Sequence, residues 1–168
     1  MRVLLTGGTG FIGSAVLARL LERGHEVIAA VRSADAAATV SEAGAHAVIG
    51  DLADTAWLTA QLEAVEGAIH TAALGHGDDA LLDAVVAAFA GTGKRYVHTG
   101  GIWTWGDNTE ITEESPHRAP AISAWRDELE ARVLSADVRA SIIAPAVVYS
   151  AGHGIPFKTV ANAPRTAD

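Results

Sequence analysis

TGGTGFIG occupies residues 6–13 of this 168-residue chain, between an apolar run and a helical pattern. The run is Val3-Leu4-Leu5, and apolar residues recur at helical spacing from Phe11 to Arg23. The order is therefore strand, tight turn, helix, which is the setting in which closely spaced glycines are informative. The alternative is a glycine-rich turn without a ligand.

Each glycine has its own predicted role in a turn that binds a dinucleotide. Gly7 permits the sharp turn, Gly10 lets the backbone approach a pyrophosphate, and Gly13 lets the helix pack closely on the strand. The free N–H groups of the first helical turn and its positive dipole end would face the phosphates. No Gly-Lys-Ser/Thr follows, so a nucleotide-triphosphate P-loop is the poorer match.

Composition narrows the class of protein. Hydrophobic residues make up 49% and charged residues 19%, which indicates a folded globular chain. No apolar run approaches the ~18 residues of a membrane-spanning helix, and the first residues are too short a run for a signal peptide. A net charge of -8 argues against nucleic acid or an anionic membrane as partner. Cysteine is absent, which excludes thiolate catalysis, and a cytoplasmic location is expected.

The end of the second predicted strand carries a basic residue. Glu26 to Val31 follow Gly24 as a buried strand, and Arg32 comes directly after it. At this position of a dinucleotide-binding β-α-β unit, an acid pairs with the ribose hydroxyls of NAD, whereas an arginine accommodates the 2′-phosphate of NADP. Arg32 therefore favours NADP over NAD. The alternative is a solvated surface arginine.

Strand and helix patterns alternate along the rest of the chain. Near-continuous apolar strands of this kind predict an α/β fold with a Rossmann-type, doubly wound parallel sheet of about six strands and helices on both faces. Residues 1–150 form the predicted dinucleotide-binding domain, and residues 151–168 form a C-terminal tail. The further strands are predicted at 47–50, 68–73, 95–98 and 139–144, and the further helices at 34–43, 54–64, 79–90 and 121–134.

TGGTGFIG resembles the cofactor loop of the extended short-chain dehydrogenase/reductases, a group that includes nucleotide-sugar epimerases and dehydratases. The similarity continues over about the first 150 residues. It implies an NAD(P)-dependent oxidoreductase or epimerase/dehydratase acting on a small carbonyl, alcohol or sugar-nucleotide substrate. Asp51 would flank the adenine, or would cap the helix at 54–64. The implied cofactor contacts are Gly7, Gly10, Phe11, Ile12, Gly13, Arg32, Asp51, Leu52, Ala72, Ala73, Thr99, Arg126 and Pro145.

The chain departs from that group where the chemistry would occur. The group uses a Tyr and a Lys four residues apart on the helix after strand five, where the phenol is the acid/base and the lysine lowers its pKa. Neither of the two tyrosines here, Tyr96 and Tyr149, begins such a pair. Laid on that helix, Ile122 takes the place of the tyrosine and Arg126 that of the lysine.

Because Ile122 cannot donate a proton, the catalytic candidates must be other residues. Thr99, Arg126 and Tyr149 are the predicted catalytic residues, and a carbonyl could also receive its proton from His98, His117 or water. Gly101 occupies the place of the group's catalytic serine. The seven histidines form no His-x-x-x-His pair, so no metal site is predicted.

The tryptophan-rich loop at 101–107 follows strand five at the carboxyl end of the sheet, where ligands of such folds bind. Its tryptophans would line a pocket or cover the sheet edge.

Two classes of function remain open from the sequence. One is an NADP-dependent enzyme, and the other is an NADP-binding module without turnover, such as a redox sensor or a degenerate subunit. Because extended members carry a further C-terminal part, the chain is either a truncated form or is completed by another chain. Helices 79–90 and 121–134 are candidates for a homodimer face, although core packing explains the same residues.

Overall fold

The structure, a computed structural model, describes residues 1–73, 78–150 and 153–154. Strands and helices alternate along the chain up to the sixth strand. The strands are β1 (Arg2–Thr6), β2 (Glu26–Val31), β3 (His46–Ile49), β4 (Gly67–His70), β5 (Arg95–Thr99), β6 (Arg139–Ile143), β7 (Tyr149–Ser150) and β8 (His153–Gly154). The α-helices are α1 (Phe11–Glu22), α2 (Ala34–Glu42), α3 (Thr55–Glu63), α4 (Asp78–Phe89) and α5 (Trp125–Ser135), with a 3-10 helix at Ile102–Trp105.

A six-stranded parallel sheet in the order β3-β2-β1-β4-β5-β6 forms the centre of the molecule. The order reverses between β1 and β4, so the carboxyl ends of these two strands open a crevice at the switch point. Thr6, the last residue of β1, pairs in register with Ala30 of β2 and with His70 of β4. The predicted Rossmann-type fold is confirmed.

Two apolar cores lie on opposite faces of the sheet. On one face, Leu17 of α1 and Val40 of α2 pack against Leu5 and Val27. On the other face, residues of α3, α4 and α5, among them Phe89, pack in a larger core. Alternate residues of the central strands serve the two cores, as strands buried on both faces require.

The starts of α2 and α3 are set by capping residues. The Ser33 hydroxyl accepts a hydrogen bond from the Ala36 amide at the start of α2. The Asp54 carboxylate accepts one from the Trp57 amide at the start of α3, at 3.0 Å. Asp51 instead accepts the amide of Ala53, at 2.9 Å. The alternative prediction that Asp51 caps α3 is therefore wrong, because Asp54 holds that position.

The start of α5 differs from the predicted helix at 121–134. The Ser123 amide donates to the Pro120 carbonyl at 2.8 Å and the Arg126 amide donates to the Ser123 carbonyl at 2.9 Å, so tight four-residue turns lead into the helix. Ile122 lies in these turns and is 74% exposed, so the prediction that the helix begins at residue 121 is wrong.

Within the part of the chain that the structure describes, no helix is both long enough and apolar enough to cross a bilayer. The predicted tail at 151–168 lies outside the described residues, apart from His153 and Gly154.

Candidate functional site

The glycine turn after β1 has two positions that only glycine can fill. Gly7 has φ +75°, and a Cβ there would lie 2.6 Å from the Ala72 amide nitrogen. A Cβ on Gly13 would overlap the carbonyl of Gly7. That same carbonyl accepts the Gly10 amide at 2.9 Å, which closes the turn. The predicted roles of Gly7 and Gly13 thus have direct steric causes.

Gly10 is a different case. Its φ of -80° and ψ of 171° suit any residue, and a Cβ would meet only the Gly7 carbonyl oxygen, at 3.2 Å. The backbone conformation therefore does not require a glycine at this position, and the close approach of a pyrophosphate to Gly10 stays a prediction. No side chain caps α1 and no acid lies in its first turn, so the positive end of this helix is free to face an anion.

A cavity of about 380 Å³ lies at this turn; we call it the glycine-loop half of the site. Arg32 and Ser33 bound it at the end of β2, and Leu52 bounds it after β3. It gathers six of the predicted cofactor residues: Gly7, Gly10, Arg32, Leu52, Ala72 and Ala73. Asp51 does not line it, because its carboxylate bonds the Ala53 amide; the predicted adenine contact of Asp51 stays a prediction.

A second cavity, of about 470 Å³, continues the site over β5 and β6; we call it the Trp103 half. It includes Phe11, Ile12 and Pro145, three further predicted cofactor residues. Thr71 lines both cavities, so they meet at the carboxyl end of β4. The two halves together follow the switch point of the sheet, where ligands bind in open α/β folds.

Thr99 and Tyr149 line a third, largely apolar groove of about 640 Å³ on the α1 side of the sheet. This groove shares Phe11, Ile12 and Pro145 with the Trp103 half. The structure therefore brings two of the three predicted catalytic residues to one groove that opens into the site.

Arg126 is not brought there. It lies on α5, where its guanidinium is 4.5 Å from the centre of the Trp125 ring, and it lines none of the three cavities. Thr99 ends β5 with its side chain on the α1 side, whereas α5 packs on the opposite face. The predicted grouping of Thr99 with Arg126 is not present, and a ribose contact of Arg126 stays a prediction.

The two tryptophans of the 101–107 loop have separate roles. Trp103 is 59% exposed and lines its half of the site. Trp105 donates from Nε1 to the Ser115 carbonyl at 3.1 Å, and its ring meets the edge of His117 at 4.9 Å between centroids. One tryptophan is thus a pocket wall, and the other holds the loop together.

The histidines offered as proton donors are engaged elsewhere. His98 is 1% exposed, its Nδ1 lies 3.0 Å from the Tyr96 hydroxyl, and burial, together with neighbouring His70, lowers its pKa to about 4. Burial raises the pKa of Tyr96 well above its usual range. His117 Nδ1 lies 3.0 Å from the Asp127 carboxylate. Tyr149, 70% exposed, is therefore the tyrosine that can meet a substrate.

The sequence analysis does not name Thr71 as a site residue, nor the buried His70 that precedes it. Thr71 lines all three cavities and donates its hydroxyl to the Thr6 carbonyl at 2.7 Å. Its position directly after β4 was the available signal, because carboxyl ends of parallel strands meet at one edge. Among the described residues, no group of three or more His, Asp or Glu side chains is arranged to hold a metal ion.

The fold and the site define a dinucleotide-binding Rossmann domain. The model of the NAD dependent epimerase/dehydratase family matches residues 3–92, and the chain belongs to that family. An uncharacterized protein of Schizosaccharomyces pombe is 34% identical over 165 residues, covering 90% of this chain and 56% of that protein. The chain thus spans little more than half the length of this relative.

Solved structures agree on the fold. UDP-glucose-4-epimerase from Stenotrophomonas maltophila, solved with bound NAD, superposes with a TM-score of 0.69 at 22% identity, over 86% of this chain and 52% of that one. A dTDP-glucose 4,6-dehydratase from Streptomyces venezuelae, also with NAD bound, gives a TM-score of 0.65 at 28% identity, over 84% and 54% of the two chains.

Proposed function

We propose that this chain binds NADP(H) across the two halves of the site and acts as an oxidoreductase or epimerase/dehydratase. Its substrate would be a small carbonyl or alcohol compound or a sugar nucleotide. The observation that carries the proposal is the glycine turn, in which an uncapped helix start and an arginine border one cavity. The pyrophosphate would lie at Gly10 and the amides of α1.

The preference for NADP(H) over NAD(H) rests on charge. Among the described residues that line the glycine-loop half, Arg32 is the one that carries a charge, and it is exposed. A guanidinium can bind a 2′-phosphate through two parallel hydrogen bonds, and none of the described lining residues is an acid that would oppose that phosphate. An exposed site attenuates the interaction, so the preference should lie toward the lower end of the tenfold to hundredfold range of charge-assisted bonds.

The chemistry of the bound cofactor is hydride transfer at the nicotinamide. The chain's own contribution would come from the groove at the Trp103 half. Thr99 and Tyr149 both offer a hydroxyl there, beside apolar side chains such as Val97 and Ile143. Tyr149 would supply the proton that Ile122 cannot. Without the Tyr-x-x-x-Lys pair, turnover is expected to be slow, since general acid catalysis contributes ~10²–10⁴-fold.

A non-catalytic NADP(H)-binding module is the second candidate. The observation in its favour is that the position matched to the catalytic tyrosine holds Ile122, which is exposed and precedes α5. Binding would then persist while turnover is absent. The homodimer face suggested for α4 and α5 belongs to the same open question, because a degenerate subunit would need a partner.

Titration of NADPH and NADH into the wild type, Arg32→Ala and Arg23→Ala tests the cofactor proposal. The wild type should bind NADPH about tenfold more tightly than NADH. Arg32→Ala should lose that preference, whereas Arg23→Ala, an exposed arginine at the end of α1, should keep it. Equal affinities in the wild type would sink the NADP(H) preference.

Turnover assays separate the two candidate functions. NADPH oxidation is measured with simple aldehydes and sugar nucleotides for the wild type, Tyr149→Phe and Thr99→Val. An enzyme should lose about 10²-fold in kcat with Tyr149→Phe, with cofactor affinity kept. Binding without turnover in the wild type supports the module, and turnover that survives both substitutions shows that the reaction occurs elsewhere.

A further inference from the structure

Three buried polar side chains form a hydrogen-bonded line beneath the site. Thr6 Oγ1 lies 2.6 Å from His70 Nδ1, and His70 Nε2 lies 3.2 Å from Asp78 Oδ1. Thr6, His70 and Asp78 are 2%, 1% and 3% exposed. The line crosses from the last residue of β1, through the last residue of β4, to the first residue of α4.

The polarity of this line follows from donor and acceptor chemistry. The Asp78 carboxylate accepts, so Nε2 of His70 donates, and in the neutral imidazole Nδ1 then accepts from the Thr6 hydroxyl. A Thr-His-Asp order also occurs in nucleophilic triads, but this hydroxyl is buried and meets no cavity. The ring of His98 stacks on that of His70, with 5.4 Å between centroids, and closes the other side.

The hydrogen-bonded line lies next to the two backbone segments, 7–10 and 71–73, that form the walls of the glycine-loop half. Thr6 precedes the turn at 7–10, and His70 precedes the segment 71–73, and both segments line that cavity. The Thr6 carbonyl accepts from the amide and the hydroxyl of Thr71, at 3.2 and 2.7 Å, which ties the walls together. Buried polar groups are costly unless paired, so a polar line in an apolar core implies a requirement for fixed geometry.

We propose that the Thr6–His70–Asp78 line positions the two walls of the glycine-loop half and thereby sets cofactor affinity. These are positioning residues, since none of them lines the three cavities. The consequence is that Asp78, on α4, controls binding at a site that it does not touch. The inference rests on the proposed cofactor binding.

The test compares isosteric and conservative variants at both ends of the line. Thr6→Val removes the hydroxyl at nearly constant volume, and Thr6→Ser keeps it. Asp78→Ala removes the acceptor, and Asp78→Asn keeps an acceptor oxygen for Nε2. Val133→Ala, a cavity variant on the same face of the sheet, is the control for lost stability alone. Dissociation constants for NADPH and NADH are measured well below the unfolding transition of every variant, with the fold checked by circular dichroism.

Thr6→Val and Asp78→Ala should each raise the dissociation constants for NADPH and NADH about three- to tenfold. The dissociation constants of Thr6→Ser, Asp78→Asn and Val133→Ala should stay within about twofold of the wild-type values. If Thr6→Val and Asp78→Ala lower thermal stability but bind as the wild type does, the line is only structural and the inference is overturned. If the wild type itself binds neither cofactor, the proposed function fails, and this inference fails with it.

Discussion

The two halves of the site differ in the kind of residue that lines them. The glycine-loop half is bounded mostly by backbone and small residues, with Arg32 and Leu52 at its border, and the turn in it depends on Gly7 and Gly13. The Trp103 half is bounded by large side chains from segments far apart in the chain, such as Phe11 and Val147. Backbone constraints act locally and are visible in a sequence, whereas a wall of side chains depends on the tertiary packing of each segment.

The largest expected effect is on the glycine-loop half. Gly13→Ala should lower the free energy of unfolding by about 3 kcal/mol, because the new methyl group would overlap the Gly7 carbonyl. Gly101→Ala, in the loop that carries Trp103, is the matched control, since a Cβ there has no neighbour within 4 Å. Denaturant unfolding measures both variants. Equal stabilities would show that the two halves do not differ in steric demand.

A second effect of similar size is expected beneath the Trp103 half and depends on pH. His98 has a folded pKa of about 4, below its unfolded value of about 6.5, so the unfolded chain takes up its proton first as pH falls. The free energy of unfolding contributed here should be fully present above pH ~6.5 and should decline by up to about 3 kcal/mol towards pH ~4.

The comparison of the wild type with His98→Asn isolates this term, because the amide oxygen can still accept from the Tyr96 hydroxyl. Glu130 acts in the opposite direction: burial raises its pKa, so its contribution declines as pH rises. Glu130→Gln therefore serves as a control whose difference from the wild type has the reverse slope. Parallel stability curves for the wild type and His98→Asn between pH 4 and about 6.5 would contradict the argument.

A smaller effect, on binding alone, is expected at Gly10. Gly10→Val should fold, since the backbone there is extended and a Cβ meets one atom at 3.2 Å, but it should weaken NADPH and NADH about tenfold or more. Its side chain would stand between the backbone and the pyrophosphate. Cofactor titration with circular dichroism checks both parts. Unchanged affinity in a folded variant would mean that the loop is only a turn.

The smallest effect separates the two tryptophans. Trp103→Ala should change the free energy of unfolding by less than about 0.5 kcal/mol, because the ring is largely exposed. Trp105→Ala should reduce it by about 1 kcal/mol, through the lost bond to Ser115 and the lost contact with His117. Thermal unfolding of the two variants side by side measures the difference, and an equal loss would show that both rings hold the loop.

The sequence predicted β1 and β2 closely because their apolar runs are buried on both faces. β4 ends at His70, three residues before the predicted end of that strand. β2 begins and ends where expected, at Glu26 and Val31. Gly7 and Gly13 were equally readable, since each answers a steric need of the turn. The start of α5 was not, because turns after Pro120 replaced a helical pattern that the apolar residues alone allowed.

The polar interior was also out of reach of pattern reasoning. In the sequence, His70 is one residue of an apolar strand, and the residues next to it do not predict hydrogen bonds with Thr6 or Asp78. Likewise, Arg126 was matched by its spacing on a helix, and spacing does not say which face of the sheet that helix covers. Both cases involve contacts between elements distant in sequence, and the residue pattern of one sequence does not determine such contacts.

The order of the strands has a consequence for how the chain is made. β1 lies between β2, which follows it closely, and β4, whose His70 pairs with Thr6 at a separation of 64 residues. A chain synthesised from its N-terminus can assemble β1, β2 and β3 early, but one edge of β1 stays open until β4 emerges. Until β4 pairs with it, that edge of β1 presents unpaired backbone groups with which another strand could pair.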